Sequence, residues 1–281
     1  MSEMLNWIVA LTLAVVLPPG VSPADLDLAG NIRVTAAPPS RGPASNPSTP
    51  CGGCSDPVRE TFGVEVKDGD LWVLSFDGTM VHLSSCGVVE TISIEGFRGF
   101  ATGLAWDSRR GVFAVTDALF LKIDLVTTKG IVVGQLSAPD TGFVGIAYDP
   151  GRDLYWITNW HFDTIFSVDP NTGRFGPAFH VPEGSRIAGT GYDAARDALI
   201  YNGRNEKHTY IISASRGDLL TSFALPVEAL DFNNGEDVGV AADGSAWIHL
   251  FEPQGTYCFR ALSESTPVVG MTWGRLKTIY R

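Results

Sequence analysis

Polar side chains able to hold a ligand gather in a few short stretches of this 281-residue chain. They are Arg98, Asp117, the run Asn159-Trp160-His161, Arg186, the run Asn202 to His208 with Arg204 inside it, and Asn233 to Asp237 with Glu236. Amides, imidazoles and guanidiniums of this kind can hydrogen-bond a polar ligand while Trp160 stacks against it. Asp77 and His249 to Glu252 extend the set. Plainer roles compete at each position: Asn159 and Asn202 can satisfy turn backbone, Arg186 and Arg204 can pair surface charges, and His249 can pack beside Trp247. Covalent chemistry has less support. The chain carries no Gly-x-Ser-x-Gly elbow, no His-Glu-x-x-His and no phosphate-binding glycine loop. Arg216-Gly217-Asp218 spells an adhesion tripeptide, but in a turn between strands, where such triplets arise by chance.

The elements that must position these residues repeat. Gly103-Leu104-Ala105-Trp106-Asp107 recurs as Gly145-Ile146-Ala147-Tyr148-Asp149 and as Gly191-Tyr192-Asp193, with weaker copies at Gly63 to Asp68 and Gly239 to Asp243. Asp68, Asp107, Asp149, Asp193 and Asp243 are 39, 42, 44 and 50 residues apart. An aromatic-rich apolar run follows each copy, such as Leu154-Tyr155-Trp156-Ile157, and then two more short runs bounded by Gly, Asp, Asn and Pro. Such runs are antiparallel strands, and a period near forty with four strands per unit is the mark of a propeller. The expected fold is an all-β propeller of about five four-stranded blades over residues 61–274, with six blades as the alternative. Asp107 to Arg110, Asp149 to Arg152 and Asp193 to Arg196 place an Asp-x-x-Arg in the first hairpin of three blades, where the aspartate can bond turn amides and the arginine can pair with it. In this architecture the polar stretches above fall on the loop face, around the channel mouth and opposite those hairpins.

The blade Gly145 to Asp149, Leu154 to Thr158 and Ile165 to Gly173 resembles the blades of YWTD-type, NHL and YncE-like propellers. Glu236 to Ile248 is similar to the strand pair of NHL and gluconolactonase-like propellers. The resemblance covers about residues 61–273 and implies the scaffold rather than an activity. The loop-face residues and the export segment lead to the expected function, an exported propeller that binds a carbohydrate, peptide or protein partner at the cell envelope and acts as a monomer. The gluconolactonase-like side of the resemblance implies an alternative, a calcium-dependent lactonase, with Glu236, Asn159, Asn202 and Asp117 as oxygen ligands. The chain order of those ligands differs from that family's, where the glutamate comes first. No other cofactor is expected.

Composition bounds the setting. A formal charge of −11 with no basic cluster repels phosphate backbones, so nucleic acid is not an expected partner, and a neutral or cationic ligand suits the chain better. Trp7 to Leu17 is an apolar run too short to span a bilayer, stopped by Pro18-Pro19 and followed by small residues at Ser22-Pro23-Ala24. It reads as an export signal over 1–24, although no Lys or Arg precedes it; a buried or membrane-adherent helix is the alternative. Residues 25–60 read as a Pro/Ser/Gly-rich linker ending in Cys51-Gly52-Gly53-Cys54, and 275–281 as a tail. A secreted, periplasmic or cell-surface protein with Cys51, Cys54, Cys86 and Cys258 is expected to form two disulfides. Cys258 is expected to bond either Cys86 or one of the Cys51/Cys54 pair, closing the ring seam. A zinc site built on Cys51 and Cys54 is the rival.

Overall fold

The computed structural model describes residues 49–55, 57, 60–138, 142–181, 186–203, 208–224, 234–251 and 254–260. The expected export segment and the tail beyond residue 260 lie outside the described residues, as do Arg204 and Asn233. Five antiparallel sheets of four strands form the five blades. Chain order begins with β1 (Thr49–Cys54), which joins the last blade. Blade one is β2 (Thr61–Lys67), β3 (Asp70–Ser75), β4 (Thr79–Ser84) and β5 (Gly87–Ser93). Blade two is β6 (Ala101–Asp107), β7 (Val112–Asp117), β8 (Lys122–Val126) and β9 (Val132–Ser137). Blade three is β10 (Phe143–Asp149), β11 (Leu154–Asn159), β12 (Thr164–Val168) and β13 (Phe175–His180). Blade four is β14 (Ile187–Asp193), β15 (Ala198–Gly203), β16 (His208–Ser213) and β17 (Leu219–Ala224). Blade five is β18 (Asn234–Val240), β19 (Ala246–Phe251) and β20 (Gln254–Arg260), with β1 in fourth place.

The repeated glycines set the blade spacing. A Cβ on Gly145 would lie 2.5 Å from the Gly189 Cα and 2.6 Å from the Thr190 nitrogen, and one on Gly103 would lie 2.5 Å from the Val144 carbonyl. Backbone meets backbone at both places, so no side chain can yield, and only glycine lets neighbouring inner strands approach this closely. The inner strands β2, β6, β10, β14 and β18 touch in a closed ring. Outside them, apolar faces of successive sheets interlock: Trp72, Leu74 and Met80 pack with Leu104, Phe113 and Val115 between blades one and two, and the same packing recurs around the ring. Burial of each such side chain contributes about 2 kcal/mol, which is why a sheet with two apolar sides must stack between two others.

Ring closure is both hydrogen-bonded and covalent. β1 pairs antiparallel with β20, from Thr49 opposite Arg260 to Cys54 opposite Thr256. Cys54 then bonds Cys86 in the β4–β5 turn, which ties the last blade to the first. Cys86 is therefore not the partner of Cys258, as one of the two expected alternatives had it; the seam is spanned through the N-terminal strand instead. Cys258 is itself disulfide-bonded, while the Cys51 side chain lies outside the described residues. With its sulfur in a disulfide, Cys54 is not available as a zinc ligand. A disulfide belongs to an oxidising environment. Among the described residues no helix is long and apolar enough to cross a membrane.

The Asp-x-x-Arg hairpins do what their spacing predicts, and more. Asp107 Oδ1 accepts the amides of Arg109 and Arg110, while Arg110 Nη1 donates to Asp107 Oδ2 at 2.7 Å. Asp149 with Arg152 and Asp193 with Arg196 repeat the arrangement. Two of the arginines also cross to the next blade. Arg110 reaches Asp153 and Arg152 reaches Asp197, both aspartates sitting at positive φ (56° and 51°), a conformation that Asp tolerates better than most residues.

Candidate functional site

Two ends of the channel offer different chemistry. At the loop end, the turns after the second strand of blades one, two and three are capped by side-chain oxygens. Asp117 is buried at the end of β7, where its Oδ1 accepts the amides of Phe100 (3.1 Å), Leu119 (3.0 Å) and Phe120 (3.1 Å). Asn159 holds the equivalent place at the end of β11, and its Oδ1 accepts the amides of His161 (2.9 Å) and Phe162 (3.2 Å). Asp77 caps the blade-one turn through Thr79 at 3.0 Å. Asn202 is buried in β15 and accepts from the Thr209 hydroxyl at 2.7 Å. These side-chain oxygens therefore serve their own blades, while Asp117 Oδ2 and Asn202 Nδ2 are buried without a hydrogen-bond partner.

Of the remaining expected residues, Arg98, His161 and Arg186 are exposed on the loops. Trp160 is half-buried, its amide donates to the Gly142 carbonyl at 3.0 Å, and its ring lies 5.1 Å from that of His161. Glu236 lies in β18, its side chain outside the described residues. Among the described residues no group of three His, Cys, Asp or Glu is placed to hold a metal ion. Arg216 pairs with Asp218, Nε to Oδ2 at 2.8 Å, which folds the adhesion tripeptide onto itself.

What the capped turns present was not anticipated. Phe120 and Phe162, each three residues after the capping Asp or Asn, stand 56% and 55% exposed, and Leu119 is 61% exposed. Phe100, also exposed, continues this apolar surface into an aromatic cluster with Phe62 and Phe76, at ring distances of 5.1 and 5.9 Å. Arg98, His161 and Arg186 supply polar groups on the same face. The signal was present in the sequence as an Asp or Asn closing a strand with Phe at the third following position.

At the hairpin end a cavity of about 150 Å³ opens, and Glu65 is the charged residue in its wall. Glu65 Oε1 accepts the Val66 amide at 2.7 Å and Oε2 the Trp106 amide at 2.8 Å. Asp237 lies further in, fully buried, its Oδ2 accepting the amides of Val64 and Leu104 at 3.1 Å each. These amides belong to the inner edges of β2 and β6, which have no neighbouring strand on the channel side. Burial pushes the Glu65 carboxyl up to about 7, against the amide bonds that favour its charged form. Burial also raises Asp237 well above the usual carboxylate range, and the Glu65 charge adds to it.

No family model matches the chain, and no curated protein matches it in sequence. Solved structures match its fold. A glutaminyl cyclase from Myxococcus xanthus is 13% identical, with a TM-score of 0.60 over 76% of this chain and 98% of that one. A virginiamycin B lyase from Staphylococcus aureus is 19% identical, with a TM-score of 0.47 over 74% and 71%. The WD40 propeller domain of Doa1 is 15% identical, with a TM-score of 0.49 over 71% and 63%. The protein is a five-bladed β-propeller. Likeness at these identities extends to the fold alone, and fold by itself does not specify activity.

Proposed function

We propose that this protein is an exported interaction propeller, close in type to the NHL and YncE-like group, that docks an apolar segment of a protein partner on its loop face and acts as a monomer. The exposed pair Phe120 and Phe162 supports this reading above all, because large apolar side chains held out from buried, capped turns have no role in blade packing. Exposed apolar side chains on a loop face that also carries arginines and a histidine have the composition of a protein–protein contact. A protein partner is favoured over a glycan because Asp117 and Asn159 already spend an oxygen on their own turns, and Asn202 spends one on Thr209. The same commitment weighs against the lactonase alternative. The Cys54–Cys86 disulfide supports a secreted, periplasmic or surface location.

The test compares wild type with a Phe120→Ser/Phe162→Ser double variant as immobilised bait for proteins of the source organism's envelope. Support would be a protein that binds wild type saturably when purified and loses at least tenfold in affinity to the double variant, about 1.4 kcal/mol. Equal retention by the two baits, saturable glycan binding with no protein captured, or calcium-dependent lactone turnover would each overturn the reading.

A further inference from the structure

The hairpin end of the channel lies on the face opposite the proposed docking surface, and nothing above depends on it. Strand register places Glu65 level with Ala105, Ala147, Gly191 and Val238 of the other four blades. Small residues at two of those places, Ala147 and Gly191, line the cavity and leave room for it. One carboxyl thus projects from one blade into space that the others vacate. Two residues back along β2 and β6, roughly 7 Å by strand rise, Asp237 occupies the next pair of inner-edge amides. Its Oδ1 is buried without a hydrogen-bond partner.

Countercharge separates these two carboxyls from the hairpin aspartates and from Asp124. Asp107, Asp149 and Asp193 are buried, and each pairs with its hairpin arginine; Asp124 is buried and pairs with Lys122 at 3.0 Å. Among the described residues no ion pair reaches Glu65 or Asp237. Glu65 is half-buried at the cavity wall and Asp237 fully buried behind it; an acid so placed without a basic partner is costly to ionise, and a cation that entered the cavity would offset that cost.

We propose that the hairpin end of the channel binds a small organic cation, an ammonium or guanidinium group, with Glu65 as its counter-ion. Each Glu65 oxygen accepts one amide and keeps a lone pair for an N–H donor. Trp106, in the cavity wall, already carries one cation, the Lys67 ammonium 4.7 Å from its ring centre. The cavity volume corresponds to about five waters at roughly 30 Å³ each, the scale of methylguanidinium. A chain of charge −11 concentrates cations at its openings.

Because Glu65 titrates near neutrality, binding should release a proton below that point. The charged group coupled to Glu65 is Asp237 from β18; Lys67, two residues along the same strand, pairs with Asp68 and lies over Trp106, and β6, β10 and β14 bring Ala105, Ala147 and Gly191 to its level.

Methylguanidinium is titrated into the full chain at about pH 8 while tryptophan fluorescence is followed, with sodium chloride at matched ionic strength as control. A saturable change is expected, weakened at least tenfold in Glu65→Gln and also in Ala147→Leu, which fills the cavity and leaves the carboxyl in place. Calorimetry of wild type in two buffers of different ionisation enthalpy should show proton release near neutral pH. Absence of a saturable response in wild type, an equal response to sodium chloride, or unchanged affinity in either variant would overturn the proposal. If Glu65→Gln does not fold, Ala147→Leu and the proton count decide.

Discussion

Arg110 of blade two forks onto Asp153 of blade three, Nη1 donating at 2.7 Å and Nη2 at 3.0 Å, while the same Nη1 bonds Asp107 in its own hairpin. One guanidinium thus holds a turn closed and fixes the next blade against it. Asp107 in turn accepts the buried Tyr155 hydroxyl of blade three at 2.6 Å, so the same two blades are joined twice.

Removing that arginine leaves Asp107 buried and uncompensated. Arg110→Ala is expected to cost about 2–3 kcal/mol in chemical denaturation, toward the lower end for buried pairs because the guanidinium is partly exposed. Arg196→Ala, whose side chain is 54% exposed, should cost less than about 1 kcal/mol. Equal losses would show that the crossing to the next blade adds nothing.

The seam disulfide closes a chain segment with a separation of 32 residues. Loop-closure entropy for that length predicts about 3–4 kcal/mol of stabilisation. Cys54→Ala/Cys86→Ala should lower the midpoint of thermal unfolding accordingly. A double variant as stable as wild type would place the strength of the seam in the β1–β20 ladder alone.

Glu65 makes stability fall as pH rises. Its folded value of about 7 lies above the ordinary 4.5, so the folded chain holds a proton that the unfolded chain has released. The contribution is intact below about 4.5 and lost as pH climbs through about 7, at most roughly 3 kcal/mol and less where solvent reaches the half-exposed carboxyl. Asp237, also raised, acts in the same direction. Asp153 and Asp197 are lowered, mainly by arginine, and their contribution disappears only under acid conditions. Thermal scans between pH 5 and 8 should therefore slope downward in wild type, and Glu65→Gln should reduce the slope whatever it does to the baseline.

Asp117 and Asn159 perform the same capping task in neighbouring blades, so each should tolerate the other's chemistry. Asp117→Asn keeps an acceptor for the turn amides and should change stability by less than about 1 kcal/mol, whereas Asp117→Ala strands them and should cost about 2 kcal/mol. Denaturation of the two variants side by side checks this. A loss in Asp117→Asn as large as in Asp117→Ala would show that the charge matters and not the cap.

The blades were legible because Gly103 and Gly145 mark places where only glycine fits, and because Tyr155, Trp156 and Ile157 are buried in a strand. β1 was not legible. Pro50, Gly52 and Gly53 carry no strand pattern, and the strand exists because β20 offers it an open edge. Phe120 and Phe162 stood out less in the sequence than the polar residues beside them, of which Asp117 and Asn159 turn inward to cap the turns. Glu65 left a trace that was missed: an acid where the other copies of the repeat carry Ala105, Ala147 and Gly191.

β1 emerges from the ribosome well before β20, the strand whose edge it needs. Until the last blade has been made, blade one has a neighbour on one side only, and the circle stays unlocked through most of synthesis. The final folding event is a meeting of two segments distant along the polypeptide. Clipping the short stretch around residue 50 would remove a clasp rather than a dispensable leader.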